Sequence, residues 1–207
     1  MKTTGTILAV LLSLGFAATS FAGIALTDHD LSNGTGPSAQ ICIYCHTPHN
    51  AKDVVEPLWN ATVSVASFTA YTSATFDGTA TMDSDPVIGP SRLCMSCHDG
   101  TVAIDSAIGG TTTFIGSIDT GSGLIGTDLS NDHPIGFNYD AAQALDDELF
   151  ASDVANSYAG ATIGDFLFGA NKIMTCATCH DVHDDTNGSF LLVGNGASAL
   201  CLSCHDK

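Results

Sequence analysis

CIYCHTPHN (residues 42–50) places two cysteines three positions apart, a histidine directly after the second, and another histidine three positions further on. Its first half recurs. The chain holds Cys42-Ile-Tyr-Cys45-His46, Cys94-Met-Ser-Cys97-His98, Cys176-Ala-Thr-Cys179-His180 and Cys201-Leu-Ser-Cys204-His205. All eight cysteines fall into these four CxxC pairs, and a histidine follows each pair at once.

CxxCH is the attachment pattern of c-type haem. The two thiols form thioethers with the vinyl groups on one edge of the porphyrin, and the histidine lies under the iron as the proximal ligand. Two other chemistries use CxxC. Structural zinc needs four ligands in all and does not explain a histidine after every pair. Redox dithiols sit singly in a thioredoxin-like α/β pattern, which is absent here. The spacing therefore predicts four covalent haem c groups on Cys42, Cys45, Cys94, Cys97, Cys176, Cys179, Cys201 and Cys204, with His46, His98, His180 and His205 as proximal ligands.

Lys2, the apolar run ILAVLLSLGFAA and then SFAG read as a secretory signal peptide over residues 1–22, with Ser20 and Ala22 as the small residues before the cut. The run is short for a membrane span, and no second long apolar run follows. Export agrees with haem attachment, which takes place outside the cytoplasm. The formal charge is −17. Lys52, Arg92, Lys172 and Lys207 are the only cations after Lys2. This balance argues against nucleic acid and anionic membrane surfaces as partners. Acidity serves solubility first, and docking onto a basic redox partner second.

Four haems leave about 46 residues of mature chain each, too few for a large conventional core. The expected fold is mostly irregular, with short α-helices wrapped around a stacked chain of four haems and little β. Folding is then coupled to the cofactor.

Four histidines remain after the proximal ones: His29, His49, His133 and His183. They equal the number of second axial ligands that four bis-histidine irons require. Methionine is the other candidate ligand. Met95 lies inside a CxxCH spacer, Met174 just ahead of Cys176, and Met82 reads as packing. His46 and His49 share a side if the stretch is a short helix, so His49 must serve another haem close by. His183 repeats this relation to His180.

The order of features repeats. TDHDLSN, CIYCHTPH and SRLCMSCHDG are followed later by NDHPIGFN, CATCHDVH and SALCLSCHDK. This suggests two dihaem modules, 23–125 and 126–207. By symmetry His49 would face His98, and His183 would face His205. His29 and His133 then have two options. In a closed scheme they face His46 and His180. In an open scheme His133 reaches back to the first module, and His29 reaches another subunit, a heterologous contact that propagates into a filament unless it closes into a ring. Between the motifs, residues 61–71 alternate like a short strand. Residues 108–126 read as a surface loop or linker, and residues 140–157 as a helix capped by Asp140. Trp59 reads as core or haem-edge packing.

The four CxxCH sites, CHTPH, LCMSCHDGT, DHPIG and the tetrahaem size resemble the multihaem c-type cytochromes of metal-reducing bacteria, most of all the secreted tetrahaem kind that polymerises into extracellular filaments (the OmcE type). The likeness covers most of the mature chain, and the inserts carry little of it. It implies bis-histidine haems stacked in a continuous chain, a histidine donated across a subunit interface, self-association, extracellular electron acceptors and a place outside the cell or at its surface. Bis-histidine iron has no open position for a substrate, which favours electron transfer over catalysis. A monomeric periplasmic shuttle and a multihaem reductase with one open haem are the alternatives.

Overall fold

The computed structural model describes residues 23–32, 38–52, 58–104, 106, 118, 121, 123–158 and 160–207. Residues 1–22, expected as a signal peptide, and most of the 108–126 insert lie outside the described residues. Helices α1 (Pro90–His98), α2 (Tyr139–Gln143), α3 (Cys176–Cys179) and α4 (Ala199–Leu202) are short. Strands β1 (Ala155–Tyr158) and β2 (Ala161–Thr162) form one small antiparallel pair. Single 3₁₀ turns cover Ile41–Tyr44, Asp77–Thr81, Ile163–Asp165 and Gly196–Ser198. The chain is mostly irregular with short helices and little β, as composition and motif density predict. No helix among the described residues is long and apolar enough to cross a membrane.

Helix α1 is the longest, with nine residues. Pro90 at its first turn lacks the N–H that would be orphaned there. Gly89 precedes it at φ 53°, and a Cβ there would lie 2.6 Å from the Phe168 ring. The helix buries Ser91, Met95 and Ser96. Met95 packs with Val87 and Leu129. Ser91 is small enough to let α3 approach, and the Cys176 amide donates to its hydroxyl at 3.0 Å. The largest cluster holds Phe137, Tyr139, Ala142, Ile163, Leu167 and Met174. Phe76 and Met82, from before residue 126, pack against it. Met82, Met95 and Met174 all serve packing.

Two expected elements differ. Residues 61–71 form no strand, because side chains take their backbone groups. Arg92 donates to the carbonyls of Ser64 and Ala66 at 3.4 and 3.1 Å, and Ser96 Oγ accepts the Ser64 amide at 3.2 Å. A single parallel bridge, Thr69 to Asp128, is all that remains of a ladder. The helix expected over 140–157 stops at Gln143, and its cap is Asn138 rather than Asp140. Asn138 Oδ1 accepts the Ala141 amide at 2.7 Å. Beyond it Asp146 accepts the Glu148 amide at 2.9 Å in a local turn. Phe150 donates its amide to the Cys204 carbonyl at 2.9 Å, and Leu149 bridges His205. Backbone partners on the fourth motif thus replace those a longer helix would supply.

Candidate haem-binding sites

Each CxxCH closes on itself as one helical turn. The amides of His46, His180 and His205 donate to the carbonyls of Cys42, Cys176 and Cys201 at 2.8, 3.1 and 2.9 Å. The second motif is the last turn of α1. Residues three apart on such a turn share a face, so both thiols of a pair point the same way. A neighbouring segment then clamps the histidine. His46 bridges Trp59, His180 bridges Leu191 and His205 bridges Leu149, all antiparallel. In the second motif the His98 carbonyl accepts the amides of Ile125 and Gly126 at 2.8 and 3.1 Å. These clamps come from the inserts, and the sequence carried no signal for them.

The imidazoles are oriented in a common way. Nδ1 of His98 donates to the Gly123 carbonyl at 2.6 Å, that of His180 to the Ser189 carbonyl at 2.9 Å, and that of His133 to the Pro134 carbonyl at 3.0 Å. A carbonyl only accepts, so Nδ1 carries the proton and Nε2 keeps its lone pair. That is the tautomer a metal-ligating histidine needs, with its other nitrogen fixed by a backbone oxygen. His183 Nδ1 lies 3.3 Å from the Asp181 carboxylate, with the same consequence.

The non-proximal histidines do not pair as the repeat suggests. His183 faces His46, with ring centroids 6.1 Å apart and planes within 14° of parallel. His29 faces His98 at 5.9 Å and 60°, and stacks on Phe190 at 4.4 Å. Two imidazoles bound on opposite faces of one metal, each nitrogen about 2 Å from it, have centroids about 6 Å apart. The structure brings His183 to His46 and His29 to His98, where symmetry expected His49–His98 and His183–His205 and the closed scheme His29–His46. The reason is tertiary. The 23–32 arm runs over the 183–184 loop so closely that a Cβ on Gly23 would lie 2.7 Å from the His183 carbonyl. The arm thereby carries His29 to His98. Burial lowers the His29 pKa, and His98 lowers it further, which favours the neutral, ligating form. Burial lowers the His133 pKa, the Pro134 carbonyl opposes this, and His205 adds to the lowering. His49 and His180 are exposed. Among the described residues neither has a ring contact with another histidine. The stretch from His46 to His49 is a bend rather than a helix, with Thr47 Oγ1 donating to the His49 carbonyl at 2.7 Å.

Several attachment thiols are buried and hold their protons tightly. Burial and then the neighbouring Cys45 push Cys97 up to about 12. Cys176, and then burial, raise the Cys94 pKa well above its ordinary value. Burial and then Cys179 push Cys204 up to about 12. Cys45 and Leu93 pack in one cluster, the Cys176 amide donates to Ser91 on α1, and Cys204 packs on the cluster that holds Met174. Paired thiols on one face, an imidazole with a free Nε2 and a second imidazole about 6 Å away make a donor set that fits haem c. When bound, that group supplies one-electron redox chemistry, and the chain's part is to hold, orient and insulate it.

Residues 170–207 match the family model described as the doubled CXXCH motif. A search of curated proteins found no match. The matched segment holds the third and fourth CxxCH sites and reaches no further. The doubled motif is that of multihaem c-type cytochromes, so this part of the chain is built for covalently attached haem and electron transfer.

Proposed function

We propose that the protein is an exported tetrahaem c-type cytochrome that conducts electrons along four haems in the order of their motifs, and that copies join end to end into an extracellular filament. The observation that carries this reading is the packing of successive motifs: Cys45 and Leu93 share one apolar cluster, the Cys176 amide donates to Ser91 Oγ, and Met174 and Cys204 share another cluster. Motifs that pack in series would bring successive porphyrins close together, as electron hopping requires. The imidazole pairs support bis-histidine ligation at the first two sites, His46 with His183 and His98 with His29. His133, His180 and His205 provide for the other two. Iron held on both faces offers no position for a substrate.

His49 remains. It is exposed, lies by the first motif and has no imidazole partner among the described residues. In the filament it completes a haem in the Cys176–His205 half of the next copy. First and last motifs then meet head to tail, a heterologous contact that propagates. The histidine that crosses is therefore His49, rather than the His29 or His133 of the open scheme. The test compares His49→Ala with His29→Ala in holoprotein by size and spin state. Loss of assembly in His49→Ala alone, with one iron in four turning high-spin, is the expected result. A His49→Ala protein that still assembles with every iron low-spin contradicts it. Wild-type monomer that binds carbon monoxide at one haem points instead to a reductase.

A further inference from the structure

We propose that Phe190 is a positioning residue for the haem attached at Cys94 and Cys97: its ring holds the His29 imidazole at a large angle to that of His98 and so sets the electronic structure of that iron. This rests on the ligand reading above, in which His29 and His98 take opposite faces of one iron. Phe190 lies against the His29 ring, with centroids 4.4 Å apart and planes within 12° of parallel. The His29 plane stands at 60° to that of His98, against 14° between His46 and His183.

An imidazole bound to a metal through Nε2 turns about that bond unless a further contact fixes it. His98, His133 and His180 are fixed through Nδ1 by backbone carbonyls, and His183 by the Asp181 carboxylate. His29 is held differently. Among the described residues its only hydrogen bond is that of its backbone amide, which donates to Thr27 Oγ1 at 3.3 Å. What meets its ring is the flat face of Phe190, and stacking favours one plane over the others. The backbone fixes that face in turn. Ser189 and Phe190 both have left-handed φ, 52° and 57°. Residues with a Cβ disfavour that region, and it persists where the surroundings over-determine it. Here the Phe190 amide donates to Asp185 Oδ1 at 2.8 Å, and its carbonyl accepts the Asp181 amide at 2.8 Å. The same turn presents the Ser189 carbonyl to His180 Nδ1. One two-residue turn therefore orients the proximal imidazole of the third site and the distal imidazole of the second.

Parallel axial imidazoles act on one d orbital of a low-spin ferric iron, whereas crossed ones act on two and leave them closer in energy. Crossed planes therefore give a more anisotropic electron paramagnetic resonance signal, displaced to lower field. Ferric holoprotein should show such a signal integrating to at least one haem. Phe190→Leu keeps an apolar side chain and removes the flat face. It should shift the crossed-plane signal of one haem, while every iron stays low-spin and the pyridine haemochrome reports full haem content. Phe190→Tyr keeps the ring and should keep the wild-type signal. A merely structural phenylalanine would leave the spectrum unchanged in Phe190→Leu. That result overturns the proposal, as does a wild-type spectrum without a crossed-plane signal. If Phe190→Leu fails to take up its haems, Phe190→Met decides in the same way, and failure of both assigns Phe190 to folding and overturns the proposal as well. His29→Ala separates the two levels, since there the crossed-plane signal should give way to a high-spin one. Its persistence in His29→Ala sinks the ligand reading beneath. Its loss in His29→Ala, with no change in Phe190→Leu, sinks this inference alone.

Discussion

Gly136, in the DHPIG stretch, should be among the least replaceable residues outside the motifs. Its φ is 81°, and a Cβ there would lie 2.4 Å from the Pro86 carbonyl oxygen and 2.5 Å from Pro86 Cα. Those atoms are backbone and cannot swing aside. Gly136 donates its amide to the Met174 carbonyl at 2.8 Å, and its carbonyl accepts the Asp83 amide at 2.9 Å. It therefore joins the 83 segment, the approach to α2 and the residues entering the third motif. In Gly136→Ala, left-handed backbone costs about 1–2 kcal/mol. Moving the backbone apart weakens two hydrogen bonds worth about 1 kcal/mol each. The sum is about 3 kcal/mol. With a guanidinium slope of about 4 kcal/mol/M, the unfolding midpoint falls by roughly 0.8 M. The assay is guanidinium unfolding of holoprotein followed by circular dichroism and the Soret band, since thioether-linked haem stays attached throughout. Gly126→Ala is the matched control. Its φ is also 81°, but nothing lies within 4 Å of the added methyl. It should lose only the conformational part, about 1 kcal/mol. Equal losses in the two variants, or an unchanged midpoint in Gly136→Ala, refute the reasoning.

Other consequences follow from single contacts. His183→Ala and His29→Ala should each open one iron, so that reduced holoprotein binds carbon monoxide at one haem in four. Binding at none means that those imidazoles are not ligands. Asn138→Ala removes the cap of α2 and should lower stability by about 1 kcal/mol in the same unfolding assay. Asp165 is held below its ordinary pKa by the Thr162 amide and then the Thr162 hydroxyl. Its depressed pKa contributes stability that is present above the unfolded value and lost as pH falls through the folded one. Melting temperature should therefore drop on acidification below about pH 4. Asp165→Asn should drop less over the same range.

How much of this was legible in the sequence varied with the range of the interaction. CxxCH is a local pattern, and one helical turn suffices to express it, so the turn at each motif and the irregular fold could be read directly. The clamps on the histidines could not. Gly123, Ser189 and Pro134 act through backbone carbonyls, which leave no mark on residue type. Residues 61–71 look like a strand until Arg92 and Ser96, about 30 positions away, take their backbone groups. Helix α2 ends early because the Leu149–Phe150 backbone pairs with the fourth motif. Imidazole pairing was the largest departure. Sequence symmetry ignores the 23–32 arm, whose contact at Gly23 places His29 against His98 and leaves His183 for His46. Trp59, expected at the core or a haem edge, packs with Ala61 beside Cys45 and Leu93.

Electron cryo-microscopy of the holoprotein at neutral pH tests the central claim most directly. The account predicts filaments in which haem density runs unbroken through the Cys42, Cys94, Cys176 and Cys201 sites in that order. His183 sits on the iron above His46, His29 opposite His98, and His49 enters the next copy. Haems out of that order, or another residue opposite His46, would contradict it.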